Sequence, residues 1–170
     1  MVLRIIDYRG GDHGEANKNH FARAKRDSGI ENVDIISQPN RVGLFNFLNS
    51  LAYDDHLILN FISHGNLQGI GKKIPRTDDL EMESFIYYTD LVERLHAVAN
   101  RCQALLVNLG TVCNSNSIMT HIHTDRFSIL TTPMGNVSDA MTPMIFNREY
   151  DQNLADLNQV VAPVGYNFFL

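Results

Sequence analysis

Two short apolar runs constrain this chain more than any other feature. Leu57-Ile58-Leu59-Asn60-Phe61-Ile62 and Ala104-Leu105-Leu106-Val107-Asn108-Leu109 are almost continuously hydrophobic and of strand length. A strand wetted on one face alternates apolar and polar residues, so a run without alternation fits a strand covered on both faces. Between them Leu91, Val92, Leu95 and Val98 recur at helical spacing, so an amphipathic helix links the two strands, whose ends can meet if they are neighbours in the sheet.

The rest of the chain repeats the alternation. Val2 to Tyr8 and Val33 to Ser37 are β-rich, Asn17 to Ser28 suits a helix, and Asn40 to Ala52 carries Val42, Leu44, Phe45, Leu48 and Leu51 as an apolar stripe. The central strand, His56 to Ser63, is joined through a β-hairpin to the short run Phe85 to Tyr88, after which Thr89 caps the crossover helix. A helix starts near Ser117, a strand covers Phe127 to Thr132, helical residues reach about Asp156, and the short apolar segment Val160 to Leu170 closes the chain. The predicted fold class is α/β, a mostly parallel sheet with helices on both faces.

With 170 residues, 44 % of them apolar, the chain reads as one domain over 1–170 with a core large enough to support a site. The net charge of −5 and the absence of any basic run beyond Arg23, Lys25 and Arg26 argue against nucleic acid as the partner. No stretch nears the roughly 18 apolar residues that cross a bilayer. The first residues lack the basic start and long apolar run of a secretory leader, and there are two cysteines. The expected setting is therefore a reducing cytoplasm, without a disulfide framework.

Parallel sheets bind ligands at the carboxyl ends of their strands. Arg9 to Gly14, His64-Gly65, Gly110 to Ser115 and Pro133 to Asp139 all follow strands, so one edge gathers a histidine, a cysteine and several glycines. His64 and Cys113 stand 49 positions apart, each just past a buried strand. A thiol of ordinary acidity is only a few per cent ionised at neutral pH and needs an imidazole or a helix N-terminus beside it to act as a nucleophile. Cys113 is expected to have both, the second from the helix near Ser117. The N–H groups of Gly65 and Cys113 suit an oxyanion, and glycine after the histidine lets a carbonyl approach the backbone. The competing reading makes Cys113 an inert buried thiol and His64 a hydrogen-bonded strand-end histidine; Cys102 reads as structural. His121-x-His123 has no partner at zinc spacing, so no metal and no cofactor is expected. Asp78, Asp79, Glu81 and Glu83, beside Lys72, Lys73 and Arg76, form a solvated loop or a self-cleavage segment.

A hydrophobic strand ending in His-Gly, followed by a strand ending in a cysteine, resembles the caspase-like cysteine peptidases, which include caspases, metacaspases, gingipains, separase and the bacterial CHAT-domain proteases. The residues that carry this are Leu57 to Gly65 and Ala104 to Ser115; caspases also separate His and Cys by about 50 residues. Tyr88 to Leu95 and Ile129 to Asp151 are similar to the CHAT branch, so the resemblance spans roughly 55 to 155, and 1 to 54 agree in element order alone. It implies a three-layer caspase-like fold and a cysteine endopeptidase acting on a protein or peptide. Cys113 would be the nucleophile and His64 the acid–base, with the N–H groups of Gly65 and Cys113 as oxyanion donors.

The pattern departs at Val112, where the family has Ala or Ser, and at Thr111, where Gln or Asp lines the primary specificity pocket. Arg9 would favour an acidic residue before the scissile bond and Asp12 a basic one, and Asn136 in the loop after the 127–132 strand joins this substrate-facing group. Because relatives carry sensor or repeat domains, control is expected in trans, through a regulatory partner, a small-molecule signal or self-association in bacterial antiviral defence or regulated death. The alternative is a catalytically silent caspase-like or flavodoxin-like module that binds a partner or signal at the same edge. A third reading is a thiol acyltransferase or other cysteine hydrolase.

Overall fold

The computed structural model describes residues 1–10, 22, 26, 29–123, 126–133 and 167–169. Its strands are β1 (Val2–Tyr8), β2 (Asn32–Ser37), β3 (Tyr53–Gly65), β4 (Gly69–Gly71), β5 (Ile86–Tyr87), β6 (Cys102–Asn108), β7 (Ser128–Thr131) and β8 (Asn167–Phe169). The helices are α1 (Arg41–Ser50), α2 (Tyr88–Ala99) and a 3-10 helix, Ser115–His121. The main sheet has the order β2-β1-β3-β6-β7-β8. Its first five strands pair in parallel, and β8 joins β7 antiparallel.

The two continuous apolar runs lie side by side, with Leu57 opposite Leu105 and Asn60 opposite Asn108. Side-chain alternation sends Leu57, Leu59 and Phe61 of β3 into one core and Ile58 and Ile62 into another, so each face of the strand is buried. The described helices all close the first core, through Leu44 and Leu48 of α1, Leu91, Leu95 and Val98 of α2, and Ile118. The second core gathers Leu3, Ile5, Ile30, Leu106 and Leu130. The helices read over 17–28 and up to 156 lie outside the described residues, apart from Ala22 and Arg26, which are helical and exposed. The architecture is mixed α/β around a parallel core. No helix among the described residues is long and apolar enough to cross a membrane.

Local chemistry sets the helix boundaries, and it corrects three readings of the sequence. The Asn40 side chain accepts from the Gly43 N–H at 2.7 Å, which caps α1. Val42 is 64 % exposed and so does not belong to the α1 stripe. Thr89 does not cap α2, which begins at Tyr88 with no side-chain cap bond. The reason is the strand before it: Tyr87 pairs with Gly69 and the Tyr88 N–H donates to the Gln68 carbonyl, which delivers the chain into the helix early. The helix near Ser117 is the 3-10 helix, and it starts from Asn114 in the left-handed region at φ 56°.

The predicted hairpin is a small meander. β4 pairs antiparallel with the end of β3, His64 opposite Gly71, and then with β5, Ile70 opposite Ile86. Glycine is required at 69, because a Cβ there would sit 2.1 Å from the Ile86 carbonyl oxygen. At the other border β2 is the outermost described strand and largely exposed. The Asp34 carboxylate there accepts from the Ile35 N–H at 2.9 Å.

Candidate active site

His64 and Gly65 end β3, and Cys113 lies five residues beyond the end of the neighbouring strand β6. The structure brings the two segments into direct contact. A Cβ on Gly65 would lie 2.5 Å from Val112 Cγ1 and 2.7 Å from the Cys113 carbonyl oxygen, closer than real Cβ contacts come. Absence of a side chain at 65 is therefore what lets the histidine strand meet the cysteine turn. His64 and Cys113 are both partly exposed, and Cys113 is a free thiol.

The turn itself is tied down from several sides. Thr111 Oγ1 donates to the Phe61 carbonyl at 2.9 Å, which fastens the turn to β3. Ser115 Oγ donates to the Leu109 carbonyl at 2.9 Å and accepts from the Thr132 N–H at 3.0 Å, which fastens it to β7. Gly110 N–H donates to Asn108 Oδ1, and Asn108 Nδ2 donates to Asn60 Oδ1 at 2.6 Å across the two central strands. Such a network holds a side chain at a strand end in one orientation.

The expected helix N-terminus is not available to the thiol. The Ser115 N–H bonds the Val112 carbonyl, Asn116 bonds Thr132 and Ser117 bonds Asn114, so the first N–H groups of the 3-10 helix are occupied within the chain. The Cys113 N–H takes no part in those described turn bonds, which leaves it suited to an incoming oxyanion.

Of the substrate-facing residues, Arg9 is 3 % exposed and forms a bidentate pair with Asp7, Nε to Oδ1 at 2.9 Å and Nη2 to Oδ2 at 3.0 Å. Its charge is matched within the chain. Thr111 is buried, with its hydroxyl committed to Phe61. Asp12 and Asn136 lie outside the described residues. A cleft of about 520 Å³ opens beside His64, walled by Gly10 and the 73–78 segment. The Lys73 ammonium holds Asp78 at 2.8 Å and keeps its carboxyl below the usual range. Cys113 is not among the residues lining this cleft. Cys102 sits on β6 away from the turn, and burial first of all pushes its thiol up. His121 closes the 3-10 helix, half-buried, with His123 exposed beyond it.

Sequence reasoning missed Tyr88. It is fully buried at the start of α2, and its hydroxyl has no hydrogen-bond partner among the described residues. An unpaired buried hydroxyl costs about 1–3 kcal/mol. The signal was tyrosine, instead of Leu or Phe, at the first position of the helix's apolar face. No protein-family model matches the chain, and neither does any curated protein.

Proposed function

We propose that the chain is a cysteine endopeptidase of the caspase-like kind, closest to the CHAT branch, with His64 and Cys113 as its dyad. The observation that carries this is the side-chain-free contact of Gly65 with Val112 and the Cys113 carbonyl, which sets a His-Gly strand end against a cysteine turn. Cys113 sulfur attacks the peptide carbonyl carbon, and the N–H groups of Gly65 and Cys113 receive the oxygen as it gains charge. His64 takes the Cys113 thiol proton and gives it to the departing amine, then takes a proton from the water that attacks the acyl-enzyme and returns it to the sulfur as the acid leaves. Supply of a protein substrate in the cytoplasm, with control by a partner, a small-molecule signal or self-association in a defence or regulated-death pathway, completes the reading.

The test is cleavage of a denatured protein or a peptide library by the wild type, Cys113→Ala and His64→Ala. Both substitutions abolish cleavage and leave the thermal unfolding transition in place; retention of cleavage by either one overturns the dyad.

One observation favours the second reading, a silent module binding a partner or signal at this edge: the cleft beside His64 does not include Cys113 in its wall. Labelling by iodoacetamide separates the two. A nucleophile makes Cys113 react faster than Cys102, by an advantage that His64→Ala removes, whereas a silent module leaves both thiols slow.

A further inference from the structure

The cleft beside His64 lies on a definite side of the histidine. β3 stands between β1 and β6, so the cysteine turn that follows β6 is on one flank of the β3 end and the chain leaving β1 is on the other. Gly65 meets Val112 and the Cys113 carbonyl on the first flank. The cleft of about 520 Å³ opens on the second, where Gly10 and the 73–78 segment wall it together with His64, and Cys113 is not in the wall. A cysteine dyad parts its substrate into two halves: the acyl half stays bonded to the sulfur, and the amine half leaves from the group that gives it a proton. With Cys113 as nucleophile and His64 as acid, a cleft that holds the histidine without the cysteine is placed for the departing half.

The wall is held at its base. Residues 72–74 and 79–81 form the two sides of an arm, with the Ile74 N–H on the Asp79 carbonyl at 3.0 Å and the Glu81 N–H on the Lys72 carbonyl at 2.8 Å. The Lys73 N–H donates to the Arg9 carbonyl at 2.8 Å, which fixes the arm against the end of β1. At the tip the Thr77 N–H returns to the Ile74 carbonyl, closing a turn with Pro75 second and Arg76 third. Arg76 has φ 67°, at a turn position where glycine or asparagine is usual.

Charge in the wall does not cancel. Lys73 is matched by Asp78 at 2.8 Å. Arg76 is exposed and pairs with no carboxylate among the described residues. Asp79, further along the arm, does not line the cleft, whereas Ile74 and Pro75 add apolar surface to it. A guanidinium beside apolar surface fits a carboxylate on a short aliphatic stem, because its planar fork bonds both carboxylate oxygens. In a peptide that description is met by Asp and Glu.

We propose that this cleft is the subsite for the departing half of the substrate, with Arg76 as the specificity-determining residue that selects an acidic side chain among the first residues after the scissile bond. This rests on the His64–Cys113 dyad of the proposed peptidase and adds a preference that the dyad alone does not set.

The test is digestion of peptides from a denatured proteome by the full chain as wild type, Arg76→Glu and Cys113→Ala, with the residues on both sides of each cut read by mass spectrometry. At low salt the wild type favours Asp or Glu after the cut by about two- to fivefold, the worth of an exposed ion pair. The preference fades at about 1 M salt. Arg76→Glu loses it or turns it toward Lys and Arg, and the residues preferred before the cut stay the same. Wild-type cuts without an acidic preference on that side, or with one that Arg76→Glu leaves unchanged, overturn the subsite and leave the peptidase standing. Absence of any cleavage that Cys113→Ala abolishes overturns the peptidase reading and the subsite with it. A second measurement needs no turnover. A short peptide with a free amino terminus and glutamate at its second position, the form in which the departing half leaves, shifts the His64 ring resonances of the wild type more than its lysine counterpart does, and Arg76→Glu reverses the order. Equal shifts from the two peptides, or none, overturn the subsite alone.

Discussion

Gly65 shows how much one missing methyl group decides. Gly65→Ala would drive a Cβ into Val112 and the Cys113 carbonyl, and a backbone oxygen cannot swing aside as a flexible side chain can. Overpacking of this kind costs about 1–3 kcal/mol. The expected result is a lower unfolding temperature together with loss of the His64-dependent labelling of Cys113. Ionisable phenols give a second expectation. Burial raises Tyr8 to about 12 and pushes Tyr88 higher still, against about 10 for an unfolded tyrosine. Above pH 10 the folded chain therefore holds more protons than the unfolded one, and stability falls as pH rises toward 12. In urea titrations from pH 9 to 11.5, Tyr8→Phe loses part of that slope, at the cost of the 2.7 Å bond from its hydroxyl to the Ser84 carbonyl. At this scale the meeting of the 64–65 and 112–113 segments was legible, because each follows a buried strand. Tyr88 was not, since an aromatic on the apolar face of a helix reads as core until its hydroxyl is found without a partner.

Elements were legible where hydrophobic period alone decides them, and less so where hydrogen bonds to distant segments do. The β1 and α1 readings follow from β-rich sequence and from an apolar stripe, and in the structure the Asn40 side chain caps α1. Asn40→Ala removes the bond to Gly43 and lowers stability by about 1 kcal/mol, measurable in chemical denaturation. The sequence reads a helix near Ser117, yet Ser115 binds both Leu109 and Thr132 and Asn114 adopts a left-handed turn. Those ties hold the chain to a tight 3-10 geometry that no local propensity foretells. β4 was hidden in the same way: Gly69-Ile70-Gly71 has too few side chains to show an alternation, and its identity comes from the strands on either side. Through it the end of β3 and the start of α2 form one mechanical unit, which places the histidine and Tyr88 on a common support.

For the whole molecule, the parallel pair β3 and β6 at the centre of the sheet, buried on both faces, was written into the two apolar runs, and β1 beside them into its β-rich sequence. Amide hydrogen exchange should be slowest in β1, β3 and β6 and fastest in the exposed 74–79 loop beside the cleft. A uniform rate across both would contradict this partition. The outer strand carries a different consequence. An open sheet border offers unpaired N–H groups to any chain that passes, which is how folded proteins seed fibres. By accepting from the Ile35 N–H, the Asp34 carboxylate occupies one of these donors and lays a negative charge along the border. Asp34→Ala would thus keep its fold and the contact of Gly65 with the 112–113 turn while growing turbid with concentration, a failure of colloidal behaviour seen by light scattering.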